Sequence, residues 1–207
     1  MRLVLGTHNR KKGLELAGLL GPRGFQVKTL ADYPQALTVE ETGSSFAENA
    51  ALKATQQARH LGHWVLGEDS GLVVDALEGA PGIYSARFSG PGATDEGNNR
   101  HLLEQLSDVP LQRRTAHYQC YLVLADPRGT VRAESCGACR GRIRLHPAGQ
   151  KGFGYDPLFE IVEYHRTFGE LGETVKSVLS HRARALAHLL PHLEQLCRKT
   201  ETDAPAH

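Results

Sequence analysis

The first thirty residues alternate between apolar runs and turn signals in an order that few folds accommodate. Arg2–Leu5 is a short apolar run that ends at Gly6. Residues 12–20 carry leucines at helical spacing, and residues 25–30 alternate as a strand does. This order predicts a β-α-β unit and therefore an α/β protein. The loop after the first strand of such a unit faces the ligand crevice, so residues 7–11 are candidates for binding.

Composition narrows the classes of function. The chain has 207 residues, enough for one sizeable unit or two small lobes. Its 24 Lys and Arg against 23 Asp and Glu give a net charge of +1, which predicts no nucleic-acid partner. The N-terminal apolar run is too short for a signal sequence or a membrane span, and four cysteines are too few for a disulfide scaffold. We therefore expect a cytoplasmic protein without a membrane partner.

Further elements follow from capping and turn signals. Residues 45–48 form a capping box, after which Phe46 and a series of alanines recur at helical spacing for about four turns. Residues 63–67 predict a short buried strand that delivers Glu68-Asp69-Ser70-Gly71 at its end. The remaining predictions are a helix from Thr94 to about Leu106, a hairpin of residues 115–125 and 130–143, a helix from Ser180 to about Arg198, and a disordered tail over residues 199–207.

A basic group stands at the first strand-to-helix junction. It consists of Thr7, Asn9, Arg10, Lys11 and Lys12. Helix N-termini attract anions, and the added lysines suit phosphate, although the spacing does not match a Walker A loop. The alternative is a solvated first turn. Basic residues oppose the helix dipole at this end, which favours a bound anion.

An acidic group is the second candidate site. Glu40 and Glu41 precede the second helix, and Glu68 and Asp69 follow the third predicted strand. Carboxylates this dense repel one another unless a cation lies among them, and Mg²⁺ takes one or two carboxylates together with substrate phosphates. Either segment alone is more often a solvent-facing turn. The Asp69-Ser70-Gly71 triplet lacks the flanking pattern of a hydrolytic serine.

Aromatic and cationic residues near the C-terminus form a third group. Phe153, Gly154, Tyr155 and Asp156 make a glycine-spaced loop, which Lys176 and the Ser180-His181-Arg182 triplet follow. Aromatic rings can stack a base, and cationic side chains can donate to a carbonyl or phosphate oxygen. Taken separately, these residues are also typical of core packing and helix capping.

Six ordered blocks, which run nearly the whole length of the chain, resemble the inosine triphosphate pyrophosphatases, the Ham1-like family. The blocks are Thr7–Lys12 with Glu15, Glu40–Ala50, Asp69–Leu72, Gly79–Arg87, Gly152–Pro157 and Ser180–Arg182. The resemblance implies an α/β fold of two lobes around a cleft, with a long central mixed sheet flanked by helices. It also implies a single domain over residues 1–198, usually in a homodimer.

The resemblance further implies hydrolysis of ITP, dITP and XTP to monophosphate and pyrophosphate, with Mg²⁺, which cleanses the nucleotide pool. Carried over residue by residue, Asp69 is the general base, and Glu40, Glu41 and Asp69 are the metal ligands. The implied substrate-binding residues are Thr7, His8, Asn9, Arg10, Lys11, Lys12, Ser70, Phe153, Gly154, Tyr155, Asp156, Lys176, His181 and Arg182. Donors from His181 and Arg182 would favour a 6-keto purine. The alternatives are a Maf-like pyrophosphatase and a non-catalytic nucleotide- or RNA-binding module.

Overall fold

Two compact units emerge from the fold of the chain. The computed structural model describes residues 2–202, and their side chains as far as residue 198. Unit 1 is formed by the described parts of Met1–Asp69, Tyr121–Gly137 and Arg182–His207. Unit 2 is formed by Ser70–Cys120 and Ala138–His181. Each unit has its own hydrophobic cluster.

Strands and helices alternate through most of the chain. The strands are β1 (Arg2–Leu5), β2 (Gln26–Thr29), β3 (Val65–Val74), β4 (Thr115–Ala125), β5 (Val131–Ile143), β6 (Phe159–Ile161) and β7 (Arg166–Thr167). The helices are α1 (Arg10–Leu20), α2 (Phe46–Leu61), α3 (Asp95–Gln105), α4 (Phe168–Leu171), α5 (Glu173–Leu179) and α6 (His181–Thr202). Short 3₁₀ turns join several of them, including Gly82–Arg87. No described helix is both long and apolar enough to span a membrane.

The strands form one mixed sheet in the order β2-β1-β3-β4-β5-β6-β7. β1 pairs in parallel with both β2 and β3, as a β-α-β unit requires. β6 pairs antiparallel with both β5 and β7. The sheet and its helices confirm the predicted α/β fold with a mixed central sheet. The opening β-α-β unit and the β4–β5 hairpin are confirmed as well.

Each unit buries an apolar cluster against its part of the sheet. In unit 1, the predicted alanine face of α2 packs on apolar residues of β1, β3 and β4; the buried members are Val4, Leu30, Ala50, Ala54, Ala58, Val65, Val123 and Ala125. In unit 2, α3 packs on aromatic and aliphatic residues that include Leu72, Leu102, Tyr118, Phe159 and Phe168. Close packing within each cluster restrains the polar side chains that lie beside it.

Two predicted boundaries differ from the structure. The sequence places Glu68–Gly71 after a short strand, whereas β3 continues through these residues to Val74. The polar residues do not end the strand, because buried cations compensate the charge of Glu68 and Asp69 inside it. The tail was expected from Lys199, but α6 runs to Thr202. The rest of that expectation, residues 203–207, lies outside the described residues.

Candidate active site

The loop after β1 and the first turn of α1 together form residues 7–12, which we call the phosphate loop. Its shape is set by hydrogen bonds from its own side chains. Thr7 Oγ1 accepts a hydrogen bond from the Asn9 amide at 3.2 Å, and Asn9 Oδ1 caps α1 by accepting from the Lys12 amide at 3.1 Å. The first turn of α1 has no acidic residue, whereas α3 begins with Asp95 and Glu96. The side chains of Arg10 and Lys11 are exposed there. The helix end is therefore doubly positive and suits an anion.

A buried lysine lies at the centre of the acidic group in unit 1. Lys53 Nζ of α2 is 2.9 Å from Glu41 Oε1 and 2.8 Å from Asp69 Oδ1. Glu40 is exposed, and its backbone carbonyl accepts from the Thr42 amide. We expected a cation among these carboxylates, and in the structure the ammonium group of Lys53 lies there. Of the two glutamates, it is Glu41 that lies with Asp69.

One polar face of α2 holds the chain that leads to Glu41. Asn49, Lys53, Gln57 and His60 are three or four positions apart, and we call them the polar stripe of α2. They pair in reverse order with residues 35–43, which we call the acidic segment. The contacts are Asn49 with Gly43 at 2.9 Å, Lys53 with Glu41 at 2.9 Å, Gln57 with both backbone groups of Leu37 at 2.5 and 3.1 Å, and His60 with the Gln35 carbonyl at 2.7 Å.

The same stripe also orients Asp69. Asn49 is 0% exposed; its Oδ1 accepts from the Gly43 amide, and its Nδ2 donates to Asp69 Oδ2 at 3.4 Å. Lys53 donates to the other carboxylate oxygen and to the Glu68 carbonyl, at 2.8 and 3.2 Å. Both oxygens of Asp69 therefore have a donor from α2. This arrangement fixes the plane of the carboxylate.

A glycine makes this approach of β3 to α2 possible. A Cβ atom on Gly67 would overlap the Ala50 carbonyl oxygen and would stand 2.7 Å from the Ala54 amide nitrogen. Any larger residue would push β3 away from α2 and separate Asp69 from Lys53. Gly67 is thus a sequence requirement of the site, although it carries no chemistry itself.

Burial sets the protonation behaviour of this centre. Desolvation raises the pKa of Asp69 above its usual value, opposed by the positive charges of Lys12 and Lys53 and reinforced by Glu41. Burial alone would lower the pKa of Lys53, but Asp69 and Glu41 raise it above the ordinary value. Lys53 therefore stays charged at neutral pH, and Asp69 is a stronger base than an exposed aspartate. Both properties are typical of catalytic groups.

A second ion network links the phosphate loop to α6. Arg182 is 2% exposed and donates to Glu15 Oε2 through one terminal nitrogen. Its other nitrogens reach Glu68 Oε1 at 3.0 and 3.3 Å. Glu68 Oε2 in turn lies 3.1 Å from Lys12 Nζ. The guanidinium is thus directed at two carboxylates, and one of these holds Lys12.

In unit 2, the glycine-spaced loop closes on Asp156. Its Oδ2 accepts from the Phe153 amide at 2.8 Å and forms an ion pair with Lys176 Nζ at 2.7 Å. The Lys176 ammonium also lies 4.5 Å from the centroid of the Phe153 ring. Gly152 has φ +77°, and a Cβ there would overlap the Asp156 carboxylate. The loop therefore presents a half-buried Phe153 on a fixed support.

The other predicted residues of unit 2 are Gly154, Tyr155, His181 and Ser70, and each has its own setting. Tyr155 OH donates to the Ser85 carbonyl at 2.8 Å, and burial raises its pKa, so it is a neutral anchor. The side-chain Nδ2 of Asn99 donates to the Gly154 carbonyl at 2.8 Å. The His181 ring stacks on Tyr118 with centroids 4.7 Å apart. Ser70 follows Asp69 on β3 and is half-buried.

The sequence-predicted residues thus fall into two clusters, one in each unit. In unit 1 the structure brings Glu41 and Asp69 together on Lys53, and Lys12 and Arg182 together on Glu68, while Glu40 is exposed. Sequence reasoning missed Lys53, Asn49 and Gln57. The available signal was their four-residue spacing on α2, which places three polar side chains on one face beside the alanines.

The donor set fits a magnesium ion that arrives with phosphate. Among the described residues, no group of three or more His, Cys, Asp or Glu could hold a metal ion. Glu41 Oε1 and Asp69 Oδ1 nevertheless converge on one cationic position, which Lys53 Nζ occupies. Mg²⁺ commonly takes one or two protein carboxylates and completes its coordination with water and substrate phosphates. Two convergent carboxylates beside a phosphate loop match that preference.

Known proteins are similar to this chain over most of its length. The family model described as "Ham1 family" matches residues 3–192. The chain is 54% identical to a dITP/XTP pyrophosphatase of Rhodopirellula baltica, covering 98% of this chain and 97% of that one. It is 52% identical to a dITP/XTP pyrophosphatase of an Exiguobacterium species, covering 91% and 95%.

Solved structures give the same result. A HAM1 protein from Coxiella burnetii superimposes with a TM-score of 0.85 at 34% identity, covering 94% of this chain and 99% of that one. A nucleoside-triphosphatase, or dITP/XTP pyrophosphatase, from Mycobacterium abscessus superimposes with a TM-score of 0.74 at 43% identity, covering 92% and 100%. The chain therefore belongs to the Ham1 family.

Proposed function

We propose that this chain is a dITP/XTP pyrophosphatase, which hydrolyses deaminated purine nucleoside triphosphates to monophosphate and pyrophosphate and so cleanses the nucleotide pool. The observation that carries the proposal is the convergence of Glu41 and Asp69 on Lys53, in the same unit as the basic first turn of α1. Relatives that are 54% and 52% identical over the aligned residues carry that name.

The phosphate loop binds the triphosphate. Its amides and the α1 dipole attract phosphate oxygens, and Lys12 adds a charge that Glu68 holds in place at 3.1 Å. Arg10 and Lys11 are exposed on the same turn, where their positive charges would attract the outer phosphates. Charge that develops on the departing pyrophosphate is stabilised here without rearrangement of the helix end.

Asp69 takes a proton from the attacking water. Burial raises its pKa, which strengthens it as a base, while Lys53 keeps it ionised at neutral pH. Donors from Asn49 and Lys53 fix the plane of the carboxylate. Glu41 and Asp69 would also hold Mg²⁺, which when bound neutralises charge on the phosphoryl oxygens.

Residues of unit 2 recognise the base. Phe153 is half-buried and supported by Lys176, so its ring offers a stacking surface. His181 is held by stacking on Tyr118 and supplies a ring N–H donor. A donor favours the 6-keto oxygen of hypoxanthine or xanthine and disfavours the 6-amino group of adenine, which is itself a donor.

Turnover of a nucleotide panel tests the proposal. The purified protein with Mg²⁺ is assayed against dITP, ITP, XTP, dATP, dGTP, dTTP and UTP, with a chelated sample as the metal control. We expect kcat/KM for dITP and XTP to exceed that for dATP by about 100-fold. We also expect chelation to abolish activity.

The same panel separates the alternatives. Preferential turnover of dTTP or UTP would indicate a Maf-like pyrophosphatase. Binding of nucleotide without turnover of any triphosphate would indicate a non-catalytic binding module. Either result would overturn the proposal.

A further inference from the structure

One contact connects the phosphate loop to the acidic segment. His8 lies between Thr7 and Asn9, and its Nε2 is 2.8 Å from the Leu37 carbonyl oxygen. A carbonyl oxygen only accepts, so the ring nitrogen donates and the imidazole carries its proton on Nε2. The His8 ring thus contacts the backbone of the acidic segment, 29 positions along the chain.

The Leu37 carbonyl that His8 contacts also has a hydrogen-bond donor on α2. It accepts a second hydrogen bond, from Gln57 Nε2 at 2.5 Å, and the Leu37 amide donates to Gln57 Oε1 at 3.1 Å. Gln57 is 1% exposed, so this contact with α2 is buried, whereas the contact with His8 is exposed. Two lone pairs allow one carbonyl to accept from both side chains. Leu37 is therefore the point where α2, the acidic segment and the phosphate loop meet.

On the phosphate-loop side of this contact, the backbone next to His8 is held by hydrogen bonds. The residues on both sides of His8 shape the phosphate loop, since the Asn9 amide donates to Thr7 Oγ1 and Asn9 caps α1. An anion that binds at the α1 N-terminus would hold these backbone groups still. Any restraint on His8 then passes to Leu37, and Glu41 stands four residues further along the acidic segment.

We infer that His8 is a positioning residue that couples phosphate binding to the placement of Glu41. The inference rests on the proposed function, because it assigns phosphate to the loop and a catalytic role to Glu41. His8 acts here through Leu37. Its expected effect is on how well Glu41 is placed once phosphate is bound.

The chain offers a matched control. His60 Nε2 donates to the Gln35 carbonyl at 2.7 Å, a bond of the same kind to the same segment, but from α2 and not from the phosphate loop. Both histidines are exposed, so alanine at either position leaves the core intact. A purely structural role for His8 predicts equal effects of His8→Ala and His60→Ala. Coupling predicts an effect of His8→Ala alone.

Hydrogen exchange of the acidic segment measures the coupling directly. The probe is Mg²⁺ with inorganic pyrophosphate, added to the wild-type protein, His8→Ala, His8→Gln and His60→Ala. We expect pyrophosphate to slow exchange in residues 36–43 about tenfold in the wild type and in His60→Ala, and less than about twofold in His8→Ala. His8→Gln retains a side-chain N–H donor and should recover most of the slowing.

Kinetics with dITP supply the second readout. His8→Ala should lower kcat about fivefold, the effect of one lost hydrogen bond, and should change KM little. His60→Ala should match the wild type. Equal slowing of exchange in His8→Ala and the wild type would overturn the inference, as would equal losses in both alanine variants or no slowing in the wild type. A wild type that turns over no triphosphate, yet shows the exchange coupling, would overturn only the proposed function.

Discussion

Each unit contains a buried lysine–aspartate ion pair, and the two pairs are built differently. Lys53–Asp69 in unit 1 spans 2.8 Å, and Lys176–Asp156 in unit 2 spans 2.7 Å. Lys53 is shared with Glu41, whose side chain is 30% exposed, whereas the side chains of Lys176 and Asp156 are only 4% and 2% exposed. The side chains of Lys53 and Asp69 are themselves 11% and 7% exposed, so the first pair is buried but shared with a partly exposed carboxylate, whereas the second is almost wholly buried.

The surroundings of the two pairs differ in the same sense. In unit 1 Glu41 and Asp69 share the single ammonium group of Lys53, at 2.9 and 2.8 Å. In unit 2 Asp156 Oδ2 accepts from both Lys176 and the Phe153 amide, and its Oδ1 accepts from the Tyr118 hydroxyl at 3.4 Å. Two carboxylates that share one cation can also bind a metal ion or accept a proton, whereas a carboxylate with a cation of its own is suited to holding a loop. Under the proposed function, similar lysine–aspartate pairs serve catalysis in unit 1 and rigidity in unit 2.

Replacement of Asp69 should give the largest effect on activity. Asp69→Asn keeps the shape and the acceptor for Lys53 but removes the base, so kcat for dITP should fall about 1,000-fold. The melting temperature should stay near that of the wild type. Asp108→Asn removes an exposed carboxylate and should leave kcat unchanged. An Asp69→Asn protein with more than a tenth of wild-type activity would contradict the catalytic assignment.

The corresponding change in unit 2 should act on stability. Asp156→Asn leaves the Lys176 charge buried without its counter-charge, and breaking a buried pair in this way costs about 3–5 kcal/mol. Urea denaturation measures the loss. Arg132→Met breaks the exposed Arg132–Asp126 pair at 3.5 Å and should cost less than about 1 kcal/mol. Similar losses in the two variants would remove the distinction between the units.

The charge of Lys53 should control the acid side of the pH profile. Activity needs ionised Asp69, so it falls as pH drops through the pKa of that group. Lys53 lowers this pKa against the effect of burial; Lys53→Met should therefore move the acid limb of kcat/KM upward by about 1–3 pH units. Lys28→Met removes an exposed lysine that pairs with Asp32, and should not move the limb. A downward shift would contradict the ion pair.

Arg182 provides the smallest test. Its guanidinium is directed at Glu15 and Glu68, so Arg182→Lys should disturb the support of Lys12 and lower kcat/KM for dITP and dATP equally, about tenfold. The dITP-to-dATP ratio should stay within twofold of the wild type, and Glu15→Gln should behave in the same way. A collapse of that ratio would instead place Arg182 against the base, as the resemblance implied.

Local signals predicted the regular elements well. The N-cap at Ser45 and the alanine spacing predicted a helix of about four turns, which α2 confirms at Phe46–Leu61, whereas the Glu48 carboxylate of the predicted capping box accepts from the Ser44 amide. Residues 126–129 marked the hairpin turn. β3 was missed beyond Gly67, because Glu68 and Asp69 resemble a strand end unless their buried cations are known. β6 and β7 have only three and two residues, too few for periodicity to appear.

The site was predictable only where its residues carry obvious chemistry. The sequence identified the basic turn of α1 and the carboxylates Glu41 and Asp69. It did not identify Lys53, because a lysine beside an alanine face usually extends to solvent, and its burial depends on carboxylates distant in sequence. The polar stripe of α2 was missed for the same reason, because its hydrogen-bond partners lie in the acidic segment, which precedes α2 in the sequence.

The products of dITP hydrolysis test the central claim most directly. Wild-type protein and Asp69→Asn are incubated with dITP and Mg²⁺, and the products are resolved by phosphorus NMR. The account predicts equal amounts of dIMP and pyrophosphate from the wild type, no orthophosphate, and almost no product from the variant. Orthophosphate with dIDP from the wild type, or undiminished pyrophosphate release by the variant, would contradict it.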